Sequence, residues 1–437
     1  MAFVSAVGAL CPPRRGEIAR TRQVVIAVRA LRRLCACMQV DAAAGSNSGS
    51  SSGVQAEAVS SGPAQVEEKV WIHRGLKVGY TVAGSANHNA PAILCVHGFG
   101  ASAGHWRKTL PDLGTHFRVY AICLLGFGRS EKVAPGSLDA DGVPLHYTFD
   151  TWSRQLREFC DEVIRSPGVA LVANSIGAVA ALQAAVDASK EDREDMFAGL
   201  VQLDTSLRLL HVRKRSWLAN IGAPILMWML MRPGIGQLFF NQIQQDRTLR
   251  NIMCKAYAVH DAVDDELLRI LQAPARDPGA LGVFLAFTSY DTGPLPEDLI
   301  PQLRIPTLLI WGKLDTFEPI ALGRPLAELS DQVVGFVELE GVGHCPMDEA
   351  PERSVPLIRK IKRGKLPLKF YFVATNLYVF SWPASVHFKD RMPCTFGAAS
   401  WTDPTCSATQ VLCLARTALR YATCERQGCA VTDGIQT

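Results

Sequence analysis

Ala170-Leu171-Val172-Ala173-Asn174-Ser175-Ile176-Gly177-Ala178-Val179-Ala180 is the segment around which the rest of the chain is organised. A short β-compatible apolar run meets Asn-Ser, and a small-residue segment of good helix formers follows. The stretch therefore reads as strand, sharp turn and helix, with a serine at the apex, the pattern of a nucleophile elbow. Its cause is steric. A serine at the tip of such a turn takes a strained backbone conformation, so small residues are needed two before it (Ala173) and two after it (Gly177), and Ala178 extends the small side. The commoner G-x-S-x-G form has glycine where Ala173 stands, so the stretch taken alone is also compatible with an ordinary strand-helix turn.

The 437 residues, 48% hydrophobic and 20% charged, describe a globular chain long enough for one large α/β domain or two smaller ones. The formal charge of +4 is unevenly placed. Residues 1–40 hold seven arginines (Arg14, Arg15, Arg20, Arg22, Arg29, Arg32, Arg33) against Glu17 alone, a local +6. The remainder carries −2, and nothing favours nucleic acid as a partner. An arginine-bearing, acid-poor start followed by Ala, Ser and Gly over 42–61 resembles an organelle transit peptide with a flexible linker, the plainer alternative being a disordered tail. The apolar run 24–28 is too short to span a bilayer, and no later run is convincing as a span. Thirteen cysteines, odd in number, are scattered and mostly set in apolar runs (Cys95, Cys123, Cys160, Cys254), which reads as reduced core residues.

Outward from the elbow, strand and helix signals alternate. Strands are expected at 76–82, 92–96, 118–122, 170–173, 199–203, 307–311 and 333–339. Between those at 118–122 and 170–173, the segment 149–165 places Trp152, Leu156, Phe159 and Val163 at three- and four-residue steps, the mark of a helix with one apolar face. Alternating β and α elements imply a mostly parallel sheet flanked by helices on both faces.

The alternation breaks over 205–303, where the pattern is mostly helical, as expected of a cap inserted over the carboxyl edge of the sheet. Its front part, 217–240, is rich in Leu, Ile, Met, Trp and Phe but broken by Pro224, Pro233, Gly222, Gly234 and Gly236. About half of these apolar side chains are expected to form the cap's own core. The surplus points to an apolar pocket wall and to a surface that touches membrane. The expected organisation is thus a transit segment and linker (1–65), a first core part (66–204), the cap (205–303), a second core part (304–364) and an extension (365–437). In the extension periodicity is poor, and Cys394, Cys406, Cys413, Cys424 and Cys429 show no metal-like pairing. It reads as a lineage extension, an interface segment or, favoured by the loss of pattern, the product of a faulty gene model.

A serine hydroxyl is a poor nucleophile until a base takes its proton, so Ser175 needs a histidine, and that histidine needs a carboxylate to fix its tautomer. Two later strand ends supply them. Thr307-Leu-Leu-Ile-Trp311 runs into Gly312-Lys-Leu-Asp315, and Val337-Glu-Leu-Glu340 into Gly341-Val-Gly-His344. The order Ser175, Asp315, His344 is that of a hydrolase with an elbow serine. Asp204, after the strand at 199–203, is the alternative acid. His97-Gly98-Phe99-Gly100 follows the buried strand at 92–96, and its loop can aim the Phe99 N–H at the same point as the Ile176 N–H, forming an oxyanion hole. His97 is expected to shape that loop rather than move protons.

The set His97-Gly-Phe-Gly, Asn174-Ser-Ile-Gly, Trp311-Gly-Lys-Leu-Asp315 and Gly343-His-Cys-Pro-Met-Asp-Glu349 resembles the α/β-hydrolase superfamily. More closely, it is similar to the plastid branch that contains the pheophytinases and chlorophyll dephytylases. The dephytylases are nearer through Ser206-Leu-Arg-Leu-Leu-His211, Gly293-Pro-Leu-Pro-Glu297 and Phe317-Glu-Pro-Ile-Ala-Leu-Gly-Arg324. The resemblance spans roughly 71–361. It departs at Ala173 and Ala178, where the branch tends to have glycine, and at Cys123, where aspartate often stands. It implies hydrolysis of the phytyl ester of chlorophyll to chlorophyllide and phytol in the chloroplast, either in the stroma or at the thylakoid surface, with no metal or organic cofactor. Dehalogenases and epoxide hydrolases share the architecture but use an aspartate nucleophile, which Ser175 argues against. A plastid lipid or general carboxylesterase and a hydrolase-fold ligand-binding receptor remain as alternatives.

Overall fold

The computed structural model describes residues 62–232, 234–360 and 370–372. The arginine-rich segment at 1–61 and nearly all of the extension, with its five cysteines, lie outside the described residues. Nine strands are defined: β1 (Val66–His73), β2 (Leu76–Ala83), β3 (Ala92–Val96), β4 (Arg118–Ile122), β5 (Val169–Asn174), β6 (Phe197–Leu203), β7 (Thr307–Gly312), β8 (Val333–Leu339) and β9 (Phe370–Phe372). They form one sheet in the order β1-β2-β4-β3-β5-β6-β7-β8-β9. The β1–β2 and β2–β4 pairs are antiparallel, and the six pairs from β4–β3 to β8–β9 are parallel.

A strand buried on both faces needs a near-continuous apolar run, and β3, β5 and β7 are buried throughout and apolar except for Asn174 at the end of β5 and Thr307 at the start of β7. The side-chain period of two then divides each strand between two cores. Leu94, Val96, Leu171, Ala173, Leu309 and Trp311 face one of them, with helices α1 (Phe149–Phe159) and α2 (Ile176–Lys190). Ile93, Cys95, Ala170, Val172, Leu308 and Ile310 face the other, with Trp106, Leu110 and helix α8 (Pro351–Ile358). Helix α2 follows the serine directly and is buried at twelve of its fifteen positions, which its alanines permit by presenting little side chain on any face.

Two local departures from the sequence reading have physical reasons. The expected helix over 149–165 ends as an α-helix at Phe159 and continues as a single π turn, Cys160–Ile164. That turn rotates the inner face, so Ile164 is buried and Val163 only half-buried. Strand β1 was not expected at all. Its register on β2 turns Trp71 and His73 inward and leaves Val70 and Ile72 more than half exposed, so apolar residues stand on both faces and the usual alternation is missing.

Between β6 and β7 the described residues form five helices of nine or more residues: α3 (Trp217–Leu230), α4 (Ile235–Ile243), α5 (Asp246–Ala256), α6 (Asp265–Ala275) and α7 (Ala280–Ser289). The expectation that half of the apolar residues at 217–240 form a cap core does not hold on α3. Only Leu230 of that helix is buried, while Trp217 is 70% exposed and Trp228 58% exposed. The reason lies in position: α3 packs against α4 and α7 but contributes nothing to the cavity beneath the cap, so it is the outermost cap helix. Among the described residues, no helix is long and apolar enough to cross a membrane.

Candidate active site

Ser175 sits between β5 and α2 with φ 55° and ψ −123°, outside the regions an L-residue occupies freely. Such a conformation costs about 1–3 kcal/mol and persists only where surroundings enforce it. Here the Ser175 N–H donates to Leu203 O at 3.1 Å, and its carbonyl accepts from the N–H groups of Ala178 at 3.0 Å and Ser206 at 3.1 Å. Gly177 completes the elbow: a Cβ there would lie 2.3 Å from His97 O and 2.8 Å from Val96 O. The turn is thus locked against β3 and β6, and the serine is presented at the carboxyl edge of the sheet.

His344 and Asp315 converge on this edge from the ends of β8 and β7. Asp315 Oδ2 lies 2.7 Å from His344 Nδ1, and both side chains are nearly inaccessible to solvent. Asp315 Oδ1 accepts the N–H groups of Phe317 at 2.8 Å and Glu318 at 3.0 Å, which orients the carboxylate. The proton of the ring therefore belongs on Nδ1, leaving Nε2 bare as a base. Burial is the largest influence on the ring and opposes its charging. Asp315, with Glu318 and Glu349, outweighs it and holds the imidazole above its ordinary pKa. The Phe317 ring meets the imidazole edge-on at 5.4 Å. Ser175 and His344 line the same cavity, but their side chains share no hydrogen bond in this conformation.

Asp204, the alternative acid, is fully buried at the end of β6 and does not bond the imidazole. Its Oδ1 accepts the Gly312 N–H at 2.8 Å instead. Oxygens of Asp204 and Asp315 and a nitrogen of His344 lie within 4.8 Å of one another, the spacing of a potential metal site. The 2.7 Å between Asp315 and His344 does not fit one: two donors at about 2.1 Å from a tetrahedral ion stand roughly 3.4 Å apart. That distance is a hydrogen bond.

The two expected oxyanion donors flank the serine. Ile176 is the first residue of α2, so its N–H has no partner within the helix. Neither that group nor the Phe99 N–H donates to an acceptor among the described residues. The Phe99 loop is pressed close, since a Cβ on Gly98 would lie 3.1 Å from Ser175 Cβ. His97 shapes it as expected. Its Nε2 accepts the Leu124 N–H at 3.0 Å, its Nδ1 lies 2.7 Å from Gly98 O, and burial depresses its pKa to about 4, so it stays neutral.

Several supporting groups were not visible in the sequence. Asn174 Nδ2 donates to Leu203 O at 3.1 Å and to His344 O at 3.0 Å, tying the histidine loop to β6. Glu349 accepts the N–H groups of Gly343, Ala258 and Val259, and the His344 N–H donates to Ala256 O, so the same loop is fastened to the cap. Burial pushes Glu318 up to about 7, and Ser206 Oγ donates to it at 2.9 Å. Cys123, one of the departures from the family pattern, is buried, its Sγ accepts the Ala103 N–H at 3.4 Å, and burial raises its thiol pKa. The five described cysteines are free.

The cavity holds about 180 Å³. Phe99, Phe127 and Phe317 line it from the body, and Phe240, Ile243, Leu249, Met253, Leu271 and Phe284 roof it from α4 to α7. Asn174, Ser175 and His344 supply polar groups from the body, Lys132, Gln244 and Gln272 supply others, and the rest of the wall is largely apolar, so the arrangement suits attack on a carbonyl carried by an apolar chain.

Known proteins share this architecture. Pheophytinase of Arabidopsis thaliana, a chloroplastic protein, is 25% identical over 307 residues, 63% of this chain and 62% of its own length; the chain thus spans under two thirds of that relative. YugF, an uncharacterized hydrolase of Bacillus subtilis (strain 168), is 26% identical over 269 residues, 61% of this chain and 88% of YugF. In fold, the chain is similar to a serine hydrolase involved in carbazole degradation, CarC, with a TM-score of 0.52 and 21% identity over 68% of this chain and 98% of that one. The model of the alpha/beta hydrolase family matches residues 93–357. The sheet order, the elbow and this match agree: the chain belongs to the alpha/beta hydrolase family.

Proposed function

We propose that the protein is a serine ester hydrolase of apolar substrates, and that its substrate is the phytyl ester of chlorophyll. The observation that carries the reading is the strained Ser175 opening, together with the His344–Asp315 pair, onto an apolar cavity. In this reading the Ser175 hydroxyl turns onto His344 Nε2, a hydrogen bond of the kind that often tightens only with substrate bound. Nε2 takes the hydroxyl proton as Oγ attacks the ester carbonyl. The Phe99 and Ile176 N–H groups hold the oxyanion, and Asp315 steadies the imidazolium. The imidazolium returns its proton to the departing alcohol. Water, deprotonated by the same ring, then releases the acid and restores Ser175. Each methylene of an isoprenoid chain buried beneath the cap contributes about 0.8 kcal/mol.

One observation favours a second reading, a plastid lipid or general carboxylesterase. At about 180 Å³ the cavity is below the roughly 300–1,000 Å³ usual for sites that enclose a drug-sized ligand. A tetrapyrrole must therefore remain outside it or displace the cap. The uncharged outer helix α3 fits both readings as the part held against a lipid surface, here that of the thylakoid, from which an apolar ester is drawn. The arginine-rich first 40 residues and the chloroplastic relative support a plastid location, tested by following a fluorescent fusion of residues 1–65.

The substrate test incubates the full chain with chlorophyll and, separately, with a short-chain nitrophenyl ester, beside Ser175→Ala. Phytol released by the wild type alone supports dephytylation. Hydrolysis of the short ester only supports the second reading, and binding of chlorophyll without turnover on either ester contradicts both and leaves a receptor.

A further inference from the structure

Beneath the His344–Asp315 pair lies a third buried ionisable group that the proposed mechanism leaves idle. Asp204 is 0% exposed, its backbone is held at φ 45°, and one of its oxygens stands within 4.8 Å of both Asp315 and His344. Its two oxygens differ. Oδ1 accepts the Gly312 N–H, whereas Oδ2 is buried and receives no donor. A buried acceptor without a donor is costly, and a protonated carboxyl oxygen removes the cost by becoming a donor itself.

We infer that Asp204 carries the proton of the buried Asp204–Asp315 pair and donates it in a hydrogen bond to Asp315, acting as a positioning residue behind the triad acid. The inference rests on reading Ser175, His344 and Asp315 as the triad. Two carboxylates this close in a dry site do not both ionise. The division of donors decides which does: Asp315 has the ring and two backbone N–H groups, Asp204 a single backbone N–H. The groups facing Asp204 agree. Asp315, Glu349 and Cys345 offer it no positive charge, and the imidazole of His344 is already engaged by Asp315. Burial first, and Asp315 second, push the Asp204 pKa well above the ordinary carboxylate range against the opposing Gly312 N–H. The donated hydrogen bond fixes the Asp315 rotamer and tempers its charge, so that the acid orients the imidazole without holding its proton too tightly.

Three measurements test this. Asp204→Ala removes the donor and is expected to lower kcat on a soluble ester about 10- to 100-fold with little change in KM, the usual scale for loss of an outer partner of a reacting group. Asp204→Asn keeps both an acceptor for Gly312 and an N–H donor for Asp315. It is expected to recover most of that loss and to leave the acid limb of the kcat/KM pH profile in place. If Asp204 were ionised, the asparagine would delete a negative charge beside the imidazole and move that limb to lower pH by at least about half a unit, which overturns the inference. So does an asparagine variant as inactive as the alanine one. The third measurement does not depend on activity or on the alanine variant folding. At pH 7 the infrared carbonyl band of a protonated carboxylic acid is expected in the wild type and diminished in Asp204→Asn, and equal bands contradict the assignment. Failure of the triad reading shows separately, as hydrolysis that survives Ser175→Ala.

Discussion

Gly177→Ala probes the elbow at the point where its geometry is tightest. The added Cβ would sit 2.3 Å from His97 O, whereas real Cβ contacts do not fall below 3.0 Å, so the two backbones must part by at least about 0.7 Å. Neither side is a flexible side-chain end: the clash is with the carbonyls of His97 and Val96, at the end of β3. Overpacking of this kind costs about 1–3 kcal/mol, which for a body of this size lowers Tm by roughly 2–5 °C. The displacement also passes along the chain, because Phe99, one of the two oxyanion donors, lies two residues beyond His97. A donor misplaced by most of an ångström costs about 10- to 100-fold in kcat, with KM less affected. The assay pairs a thermal melt with hydrolysis of a short-chain nitrophenyl ester. Gly222→Ala is the control: it lies in α3 with nothing within 4 Å of the new Cβ, so it is expected to raise stability by about 0.5–1 kcal/mol and leave activity alone. A Gly177→Ala protein melting within about 1 °C of wild type and turning over within about twofold of it refutes the tight-elbow reasoning.

Two further outcomes are expected. His344 must be neutral to accept the Ser175 proton, so kcat/KM falls as pH drops through its pKa, which lies above the ordinary 6.5. Asp315→Asn removes the largest raising influence, so the acid limb moves to lower pH while kcat drops about 10⁴-fold; a limb that stays in place contradicts the pairing. Glutamates placed together at Leu218, Ile225 and Leu238, all well exposed on α3 and α4, are expected to abolish flotation with anionic lipid vesicles and leave hydrolysis of a soluble ester unchanged. Flotation that persists removes the lipid-facing role of the cap.

Much of the fold was legible because parallel strands need unbroken apolar runs, and 92–96 and 307–311 have no other good use. Strand β1 was not legible: its Glu67, Glu68 and Lys69 lie in an antiparallel edge pair, and its exposed apolar residues are out of phase with its buried ones. The bareness of α3 escaped for a different reason, since composition cannot say which of several apolar helices is outermost. At the site, strand-end position was enough to mark Ser175, Asp315 and His344, and the structure brings them to one edge of the sheet. What position could not show is the contact between residues far apart in the chain. Ser206 reaches Glu318 and Asn174 reaches the His344 carbonyl only after folding. Asp204 was legible as an acid at a strand end, but not that it bonds Gly312 rather than the imidazole.

In the proposed mechanism Ser175 is a nucleophile activated by His344 and Asp315. Treatment with a fluorophosphonate ester, followed by peptide mass spectrometry, reads that activation at the serine itself. One phosphonate adduct on the peptide bearing Ser175 is predicted, formed at least about a hundredfold more slowly in His344→Ala and absent in Ser175→Ala. Labelling at another residue, or labelling of Ser175 at an equal rate without the histidine, would contradict the account.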